Sequence, residues 1–304
     1  MIIDSETHVL YRAWPIETNP SRSRVEGFTW HEHSGDLLAD EMDRSGVDHT
    51  FLISYDGYDV EWFLRSIGTT PEDFVTGKKY TRAAIAAHPG RFWWFSALKD
   101  PRLEVNLQGV RDDFDDGAAG LKIFPSFLVL DADDPALMAV YELCLEYDRR
   151  VILSFEDAHP PETASVPQFF DQLDRVLTAL PDLHVQLNHA GCVDPLTDEL
   201  AVVAAVVNKH PNVWVSTAMM GLKWDDGTEY PFPNYQQRLA RLKDAIGVDK
   251  MLWGTDWPHL AHCMHYPQAV DAVRRHSDFM SEDDKQAFLG GNASRFMGDV
   301  ETAR

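Results

Sequence analysis

The chain has 304 residues, 44% of them hydrophobic, with nine Trp and sixteen Phe, so it can bury a large core and is not expected to be disordered. Its 27 Lys and Arg against 49 Asp and Glu give a formal net charge of −22, which would repel nucleic acid and anionic membranes. Three scattered cysteines are too few for a disulfide framework.

Short apolar runs of strand length alternate with amphipathic helical patterns along the chain. The predicted strands are residues 2–5, 50–54, 92–98, 119–124, 151–155, 184–188, 213–217 and 251–255. The predicted helices are residues 36–45, 72–88, 103–114, 135–147, 166–180, 198–209, 235–246 and 267–276. Strands rich in Val, Ile, Leu and Phe that are separated by helices are typical of a parallel sheet covered by helices.

Eight strand–helix units favour an α/β fold of the (β/α)8 TIM barrel type over an open doubly wound sheet. A dinucleotide-binding sheet would carry Gly-x-Gly-x-x-Gly after a strand, and this sequence has no such motif. Residues 1–304 show no repeat and no interdomain linker, so we predict a single barrel domain. Residues 10–33 form an irregular insertion, which is predicted to lie over the active-site face as a lid, a substrate wall or a plain surface loop.

Polar residues gather at the predicted carboxyl ends of the strands, where barrel enzymes place their catalytic groups. Glu6 and His8 close the first strand, and the two-residue period puts them on one side of it. The ends of strands 4, 5, 6 and 8 carry Lys122, Ser154, His189 and Asp256. Each residue alone has an ordinary structural explanation, such as a helix cap or a satisfied core histidine. In a barrel they converge, and mixed carboxylate and imidazole ligands are what a divalent metal needs.

Two motifs of the sequence resemble the amidohydrolase superfamily: Trp253-Gly-Thr-Asp-Trp-Pro-His259 and Leu187-Asn-His-Ala-Gly191. The resemblance extends from Ile3-Asp-Ser-Glu-Thr-His8 to the tail ending at Phe296. It is to the branch that contains aminocarboxymuconate-semialdehyde decarboxylase, resorcylate decarboxylase and pyrone-dicarboxylate lactonase. The resemblance implies a distorted (β/α)8 barrel, an enzyme, and a divalent metal, usually Zn and sometimes Mn.

The resemblance also implies roles for individual residues. The implied metal ligands are Glu6, His8, His189 and Asp256, and Asp256 and His189 are also the implied catalytic residues. The residues predicted to bind substrate are Lys122, Ser154, Trp253 and His259. A carbamate on Lys122 that bridges two metal ions, as in binuclear members of the superfamily, is the less favoured role for that lysine.

Two departures from the family pattern bear on the metal. Most relatives have His-x-His in the first strand, whereas this chain has Glu6-Thr-His8, as decarboxylases of the resorcylate type do. Ser154 stands where a strand 5 histidine is expected, and a serine hydroxyl is a poor ligand for Zn. Glu156 or His159 could reach in from the following loop. The lactonase relatives also lack this histidine and work without metal, so a metal-free site stays open.

The favoured interpretation is a metal-dependent hydrolase of a small cyclic or ring-derived carbonyl compound, such as a lactone or an amide, with Asp256 activating water. The alternatives are a non-oxidative decarboxylase of an aromatic or muconate-type acid, a metal-independent lactonase that uses the same pocket, and a degenerate barrel that only binds a ligand. A retained Asp256 and His189 argue against the last.

We further expect an anionic small-molecule substrate, no nucleic-acid or membrane partner, and a homo-oligomer, either a dimer or a tetramer. The sequence shows no signal segment and no long apolar run, which predicts a cytoplasmic protein. His31-Glu-His33 has the His-x-His spacing, but it lies in the insertion before a helix and not at a strand end, so it is predicted to be a polar loop pair.

Overall fold

The computed structural model describes residues 1–9, 33–54, 77–155, 164–224 and 228–303. Its strands are β1 (Ile3–Thr7), β2 (His49–Ser54), β3 (Phe92–Ala97), β4 (Gly120–Ile123), β5 (Arg150–Leu153), β6 (Val185–Leu187), β7 (Val213–Ser216) and β8 (Met251–Leu252). They pair in parallel in sequence order, β1 to β8. Backbone hydrogen bonds from Ser5 N to Trp253 O (2.9 Å) and from His8 N to Trp257 O (2.7 Å) join β1 to the segment after β8. The predicted (β/α)8 barrel is therefore confirmed.

Helices follow the strands and cover the outside of the barrel. The α-helices are Gly35–Ser45, Lys78–Ala87, Glu104–Asp115, Pro125–Leu128, Pro135–Glu146, Val166–Ala179, Leu200–Lys209, Met220–Lys223, Pro233–Ile246, Tyr266–His276, Glu282–Gln286 and Asn292–Met297. Short 3-10 turns lie at His189–Cys192, Val248–Lys250 and His259–His262, and a π-helical turn lies at Ala287–Gly291. None of the helices within the described ranges is long and apolar enough to cross a membrane.

The described helix ends lie close to the predicted ones, because local capping residues set them. Ser34 Oγ accepts a hydrogen bond from the Leu37 N–H at 3.2 Å and starts the first helix, and Gly46 ends it with a φ of 70°. Part of the predicted 72–88 helix and most of the 10–33 insertion, namely residues 72–76 and 10–32, lie outside the described residues. The helices after residue 276 were not predicted.

Both faces of the barrel strands are buried. Side chains that point outward, such as Val151 and Leu153 of β5, join a large core beneath the helices. Inward-pointing side chains near the amino ends of the strands form a second apolar cluster, which includes Ile3, Phe51, Trp93, Phe95, Ile152, Trp214 and Leu252. The helix Asn292–Met297 adds Phe296 and Met297 to this cluster. Since apolar groups fill the amino-terminal half of the barrel, the polar groups collect at its carboxyl-terminal half.

Gly120 in β4 has no room for a side chain. A Cβ atom at this position would lie 2.0 Å from the Arg150 carbonyl oxygen and 2.7 Å from a ring carbon of Phe95. We expect Gly120→Ala to lower the free energy of unfolding by about 2 kcal/mol or more, because β4 and β5 would have to separate. Urea unfolding measures the effect.

The matched control for this substitution is Gly109→Ala in the helix Glu104–Asp115. A Cβ atom there meets nothing within 4 Å. This variant should be as stable as the wild type or gain up to about 1 kcal/mol, since alanine suits a helix interior better than glycine. Equal stability of the two variants would contradict the predicted close packing at Gly120.

Candidate active site

The first strand contains a bulge next to Glu6. Asp4 pairs with Thr50 of β2, but Thr7 pairs with Leu52, so three steps along β1 match two steps along β2. One extra residue in one strand of a pair is the definition of a β-bulge, and bulges commonly re-aim side chains beside functional sites.

The bulge decides which way the predicted metal ligands face. Ile3 belongs to the cluster inside the barrel, so strict alternation would direct Glu6 and His8 outward to the helices. The extra residue reverses the alternation, and both side chains lie inside the barrel with no solvent exposure. The prediction that they share one side holds, although the side itself depends on the bulge.

Glu6 lies among the other polar groups, and both of its carboxylate oxygens accept hydrogen bonds. Lys122 Nζ, from β4, donates to Oε1, and Asn188 Nδ2, from the end of β6, donates to Oε2. All three side chains are fully buried. Burial acts to raise the pKa of Glu6, but the Lys122 cation and the nearby His189 outweigh it and hold that pKa well below its usual range. Glu6 is therefore ionised.

His8 connects β2 to Asp256. Its Nδ1 lies 3.1 Å from the Ile53 carbonyl oxygen, and because a carbonyl oxygen only accepts, Nδ1 donates. Its Nε2 lies 2.8 Å from Asp256 Oδ1 and 3.4 Å from Glu6 Oε1. Burial acts to lower the pKa of His8, but these two carboxylates outweigh it and raise that pKa. The main-chain contact thus fixes the ring with Nε2 toward the carboxylates.

Asp256 reaches the site through an unusual backbone conformation. Its φ is 58°, a left-handed value that Asp and Asn adopt more readily than most residues. The Asp256 N–H donates to the Glu6 carbonyl oxygen at 2.9 Å. This bond ties the end of β1 to the segment after β8, so two carboxylates from opposite ends of the chain meet inside the barrel.

Asp4 stabilises the same contact between β1 and the segment after β8, from the outer side of the barrel. Its Oδ1 accepts from the backbone N–H groups of Glu6 (3.1 Å) and Thr255 (2.9 Å). Its Oδ2 accepts from Thr255 Oγ1 (2.5 Å) and from the Tyr266 hydroxyl (2.8 Å). Burial raises the pKa of Asp4 to about 7, against the opposing effect of these hydrogen bonds. Asp4 thereby holds the two segments that carry Glu6 and Asp256.

His189 stands at the start of a left-handed turn after β6. His189, Ala190, Gly191 and Cys192 all have φ between 53° and 73°. For residues with a Cβ this conformation costs about 1 kcal/mol each, and such strain is concentrated at functional sites. The turn places His189 Nε2 3.5 Å from Glu6 Oε2.

The donor atoms of these residues fit a divalent metal ion. One ligand atom each from Glu6, His189 and Asp256 lie within 4.8 Å of one another, and all three side chains are buried. His8 presents Nε2 to the same carboxylates and donates Nδ1–H to a main-chain carbonyl, as metal-binding histidines commonly do. Carboxylates and imidazoles suit Zn, and they also suit Mn.

Comparison with known proteins identifies the family. The sequence profile of a family described as Amidohydrolase matches residues 3–298. The chain belongs to the amidohydrolase family. The predicted family and the prediction of an enzyme are confirmed.

Two sequence relatives and one solved structure show what this chain is similar to. A 2-amino-3-carboxymuconate-6-semialdehyde decarboxylase from Dictyostelium discoideum is 23% identical, over 97% of this chain and 91% of the relative. A 4-sulfomuconolactone hydrolase from Hydrogenophaga intermedia is 25% identical, over 78% of this chain and 75% of the relative. An amidohydrolase from Burkholderia multivorans, solved with bound Zn, shares the fold with a TM-score of 0.67 at 15% identity, over 98% and 99% of the two chains.

In this amidohydrolase, β5 and the two described residues after it contain no histidine. Ser154 is fully buried and lies two residues beyond Ile152, which pairs with Lys122 and faces inward. The hydroxyl therefore occupies the inward position where the resemblance implies a histidine. Glu156 and His159, which we considered as substitutes, lie outside the described residues.

Two further histidines of the amidohydrolase lie beside the site. The ring of His259, which is partly exposed, lies 6.0 Å from the ring of His8, centre to centre. His33 packs edge-on against Trp257 at 5.3 Å, next to Asp256 in sequence. The chain just before the first helix therefore lies beside the segment that follows β8. His31 lies outside the described residues.

The prediction that Trp253 lines the substrate pocket needs correction. Along β8, Leu252 points into the barrel, so Met251 and Trp253 point outward. Trp253 has no solvent exposure, and its ring lies 6.3 Å from that of Tyr266 in the core beneath the helices. We therefore remove Trp253 from the substrate-binding residues.

Sequence reasoning also missed two neighbours of Glu6 and Lys122. Asn188 immediately precedes His189 and shares the inward face with Gln186, so the two-residue period could have indicated it. Phe124 places its ring centre 4.8 Å from Lys122 Nζ and stacks on Phe127 at 4.9 Å. This aromatic pair lies just beyond β4, at the carboxyl end of the barrel.

Proposed function

We propose that the protein is a divalent-metal-dependent hydrolase that adds water to the carbonyl carbon of a small, anionic, cyclic or ring-derived compound, such as a lactone or an amide. The observation that carries the proposal is the convergence of Glu6, His189 and Asp256, with ligand atoms within 4.8 Å of one another in a buried site. The lactone-hydrolysing relative from Hydrogenophaga intermedia supports this reaction class.

Glu6, His8, His189 and Asp256 would hold the metal, and the Zn in the Burkholderia multivorans relative supports Zn as its identity. A bound divalent metal supplies Lewis-acid polarisation of a carbonyl and lowers the pKa of water. Ser154 adds only a hydroxyl, so the described residues that would hold the metal lie at the ends of strands 1, 6 and 8.

Asp256 serves as the general base that takes a proton from the attacking water. Its Oδ1 lies 2.8 Å from His8 Nε2, so two of the groups that would hold the metal are already adjacent. His189, where it does not bind the metal, polarises the substrate carbonyl or protonates the leaving group, as an imidazole can do. Lys122, His259 and Ser154 are the residues that we propose contact a substrate anion.

A second candidate function is the non-oxidative decarboxylation of an aromatic or muconate-type acid. The Glu6-Thr-His8 pair at β1 favours it, as does the decarboxylase relative that matches 97% of this chain. The stacked rings of Phe124 and Phe127 beside Lys122 would suit a planar acid, with the ring on the aromatic pair and the carboxylate at the cation.

Metal removal and product analysis test the proposal together. The purified protein is assayed against a panel of muconolactone-type lactones and dihydroxybenzoate-type acids, before and after treatment with EDTA. We expect lactone opening in the untreated protein, loss of most of this activity after chelation, and its return with Zn²⁺. EDTA already saturated with Zn²⁺ is the control for direct inhibition by the chelator.

The two candidate functions give different products. Hydrolysis in H₂¹⁸O labels the product carboxylate, whereas decarboxylation releases CO₂ and leaves no label. CO₂ release without label would replace the first candidate by the second. Full lactone hydrolysis in metal-free protein would refute metal dependence and support a metal-independent lactonase.

A further inference from the structure

A cationic side chain, that of Lys122, lies inside this barrel. Its ammonium group donates to Oε1 of Glu6, and neither side chain has any solvent exposure. Glu6 is at the same time one of the three residues whose ligand atoms converge within 4.8 Å. One carboxylate is thus shared between a lysine and the metal site.

We propose that Lys122 competes with the divalent metal ion for Glu6 and thereby sets the metal affinity of this protein. The inference rests on the proposed metal site, and it goes beyond the proposed function because it assigns Lys122 a role in metal occupancy. A site of this kind has two states: one in which Lys122 neutralises Glu6, and one in which the metal ion does.

Charge balance supports competition between the two cations. Among the described residues, the acidic groups that converge are Glu6 and Asp256, which together carry two negative charges when ionised. A divalent ion alone balances them, whereas a divalent ion and an ammonium group together leave an excess positive charge. In a buried site this excess is poorly screened, so the two cations repel each other strongly.

The groups around Lys122 stabilise its positive charge at this position. Its Nζ lies 4.8 Å from the centre of the Phe124 ring, a distance at which the ring stabilises a cation. Asn188 donates to the other oxygen of Glu6, so both oxygens already have N–H partners before a metal arrives. The hydroxyl of Ser154, in place of an imidazole, further weakens the metal side of the competition.

The test measures metal binding directly, with the metal alone as the probe. Dissociation constants for Zn²⁺ and Co²⁺ are determined by chelator competition for the wild type, Lys122→Met and Lys122→Gln, and the visible spectrum of Co²⁺ reports its ligands. Removal of the competing charge is expected to tighten metal binding by about tenfold or more. Lys122→Arg keeps the charge and should bind metal as weakly as the wild type.

Lys250→Met is the matched control. Lys250 also places its ammonium group over an aromatic ring, 5.1 Å from the centre of Trp214, but it donates to main-chain carbonyls and not to Glu6. Its substitution should leave metal affinity unchanged. If Lys122→Met does not fold, Lys122→Gln carries the test, because glutamine can still donate a hydrogen bond to Glu6.

The inference would be overturned if Lys122→Met and Lys122→Gln bound metal with the same affinity as the wild type, or more weakly. Weaker binding would indicate that Lys122 is itself a ligand, for example as a carbamate. The outcome is separate from that of the proposed function, because chelator sensitivity of the wild-type activity is measured without any change to Lys122. A wild type that needs metal, with variants of unaltered affinity, would refute the competition alone.

Discussion

Replacement of Asp256 by asparagine is expected to lower kcat by about a thousandfold. Asparagine cannot take a proton from water, although its Oδ1 can still accept from His8 Nε2, which lies 2.8 Å from Asp256 Oδ1. The left-handed φ of 58° suits asparagine as well as aspartate, so the loop should keep its shape. The loss should therefore be one of chemistry and not of folding, and steady-state kinetics together with thermal unfolding separate the two.

Asp249→Asn is the control for this substitution. Asp249 lies on the surface, 3.3 Å from Arg295, and its side chain is 83% exposed. The control should keep both kcat and thermal stability. Asp256 is the general base in the proposed hydrolysis and a proposed metal ligand in either reaction, so a fully active Asp256→Asn would refute its role in both candidate functions.

The second large effect is a dependence of stability on pH that originates at Asp4. Burial raises the pKa of Asp4 to about 7 in the folded protein, well above the ordinary value of 3.8 for an aspartate. Between these two values the folded state holds a proton that the unfolded state releases, so the free energy of unfolding falls as pH rises. From pH 5 to pH 8 the fall due to Asp4 should be roughly 2 to 3 kcal/mol.

Asp4→Asn isolates this contribution. Its Oδ1 can still accept from the backbone N–H groups of Glu6 and Thr255, and its amide can donate to the hydroxyls of Thr255 and Tyr266, which accept as well as donate. Urea unfolding at pH 5 and pH 8 should show the wild type losing stability relative to Asp4→Asn at the higher pH. Parallel pH profiles for the two proteins would show that Asp4 does not titrate in this range.

Much of the fold follows from the sequence, because hydrophobic periodicity and strand count are local properties. Eight strand-length apolar runs between amphipathic helices predict a barrel, and in a barrel the carboxyl ends of the strands meet on one face. The sequence alone therefore predicts that Lys122, Ser154, His189 and Asp256 lie on the same face of the barrel. The family motifs around His189 and Asp256 added which chemistry this face supports.

The orientation of individual side chains was less predictable. Simple alternation puts Glu6 and His8 on a common side, but a one-residue bulge between Asp4 and Thr7 decides that this side is the interior. A bulge depends on how β1 pairs with β2, so residues 1–8 taken alone give no sign of it. Trp253 is the opposite case. Because Leu252 points into the barrel, the next side chain, Trp253, points outward and lies in the core beneath the helices.

The sequence by itself therefore determined the barrel, its polar face and the residue types available there for chemistry. Only the tertiary structure decided which of these groups touch. Lys122 is 116 positions from Glu6, and Asn188 is 182 positions from it, so their contacts with its carboxylate arise from closure of the barrel. Because a buried carboxylate must be paired, this closure gives Glu6 a lysine partner in the proposed metal site.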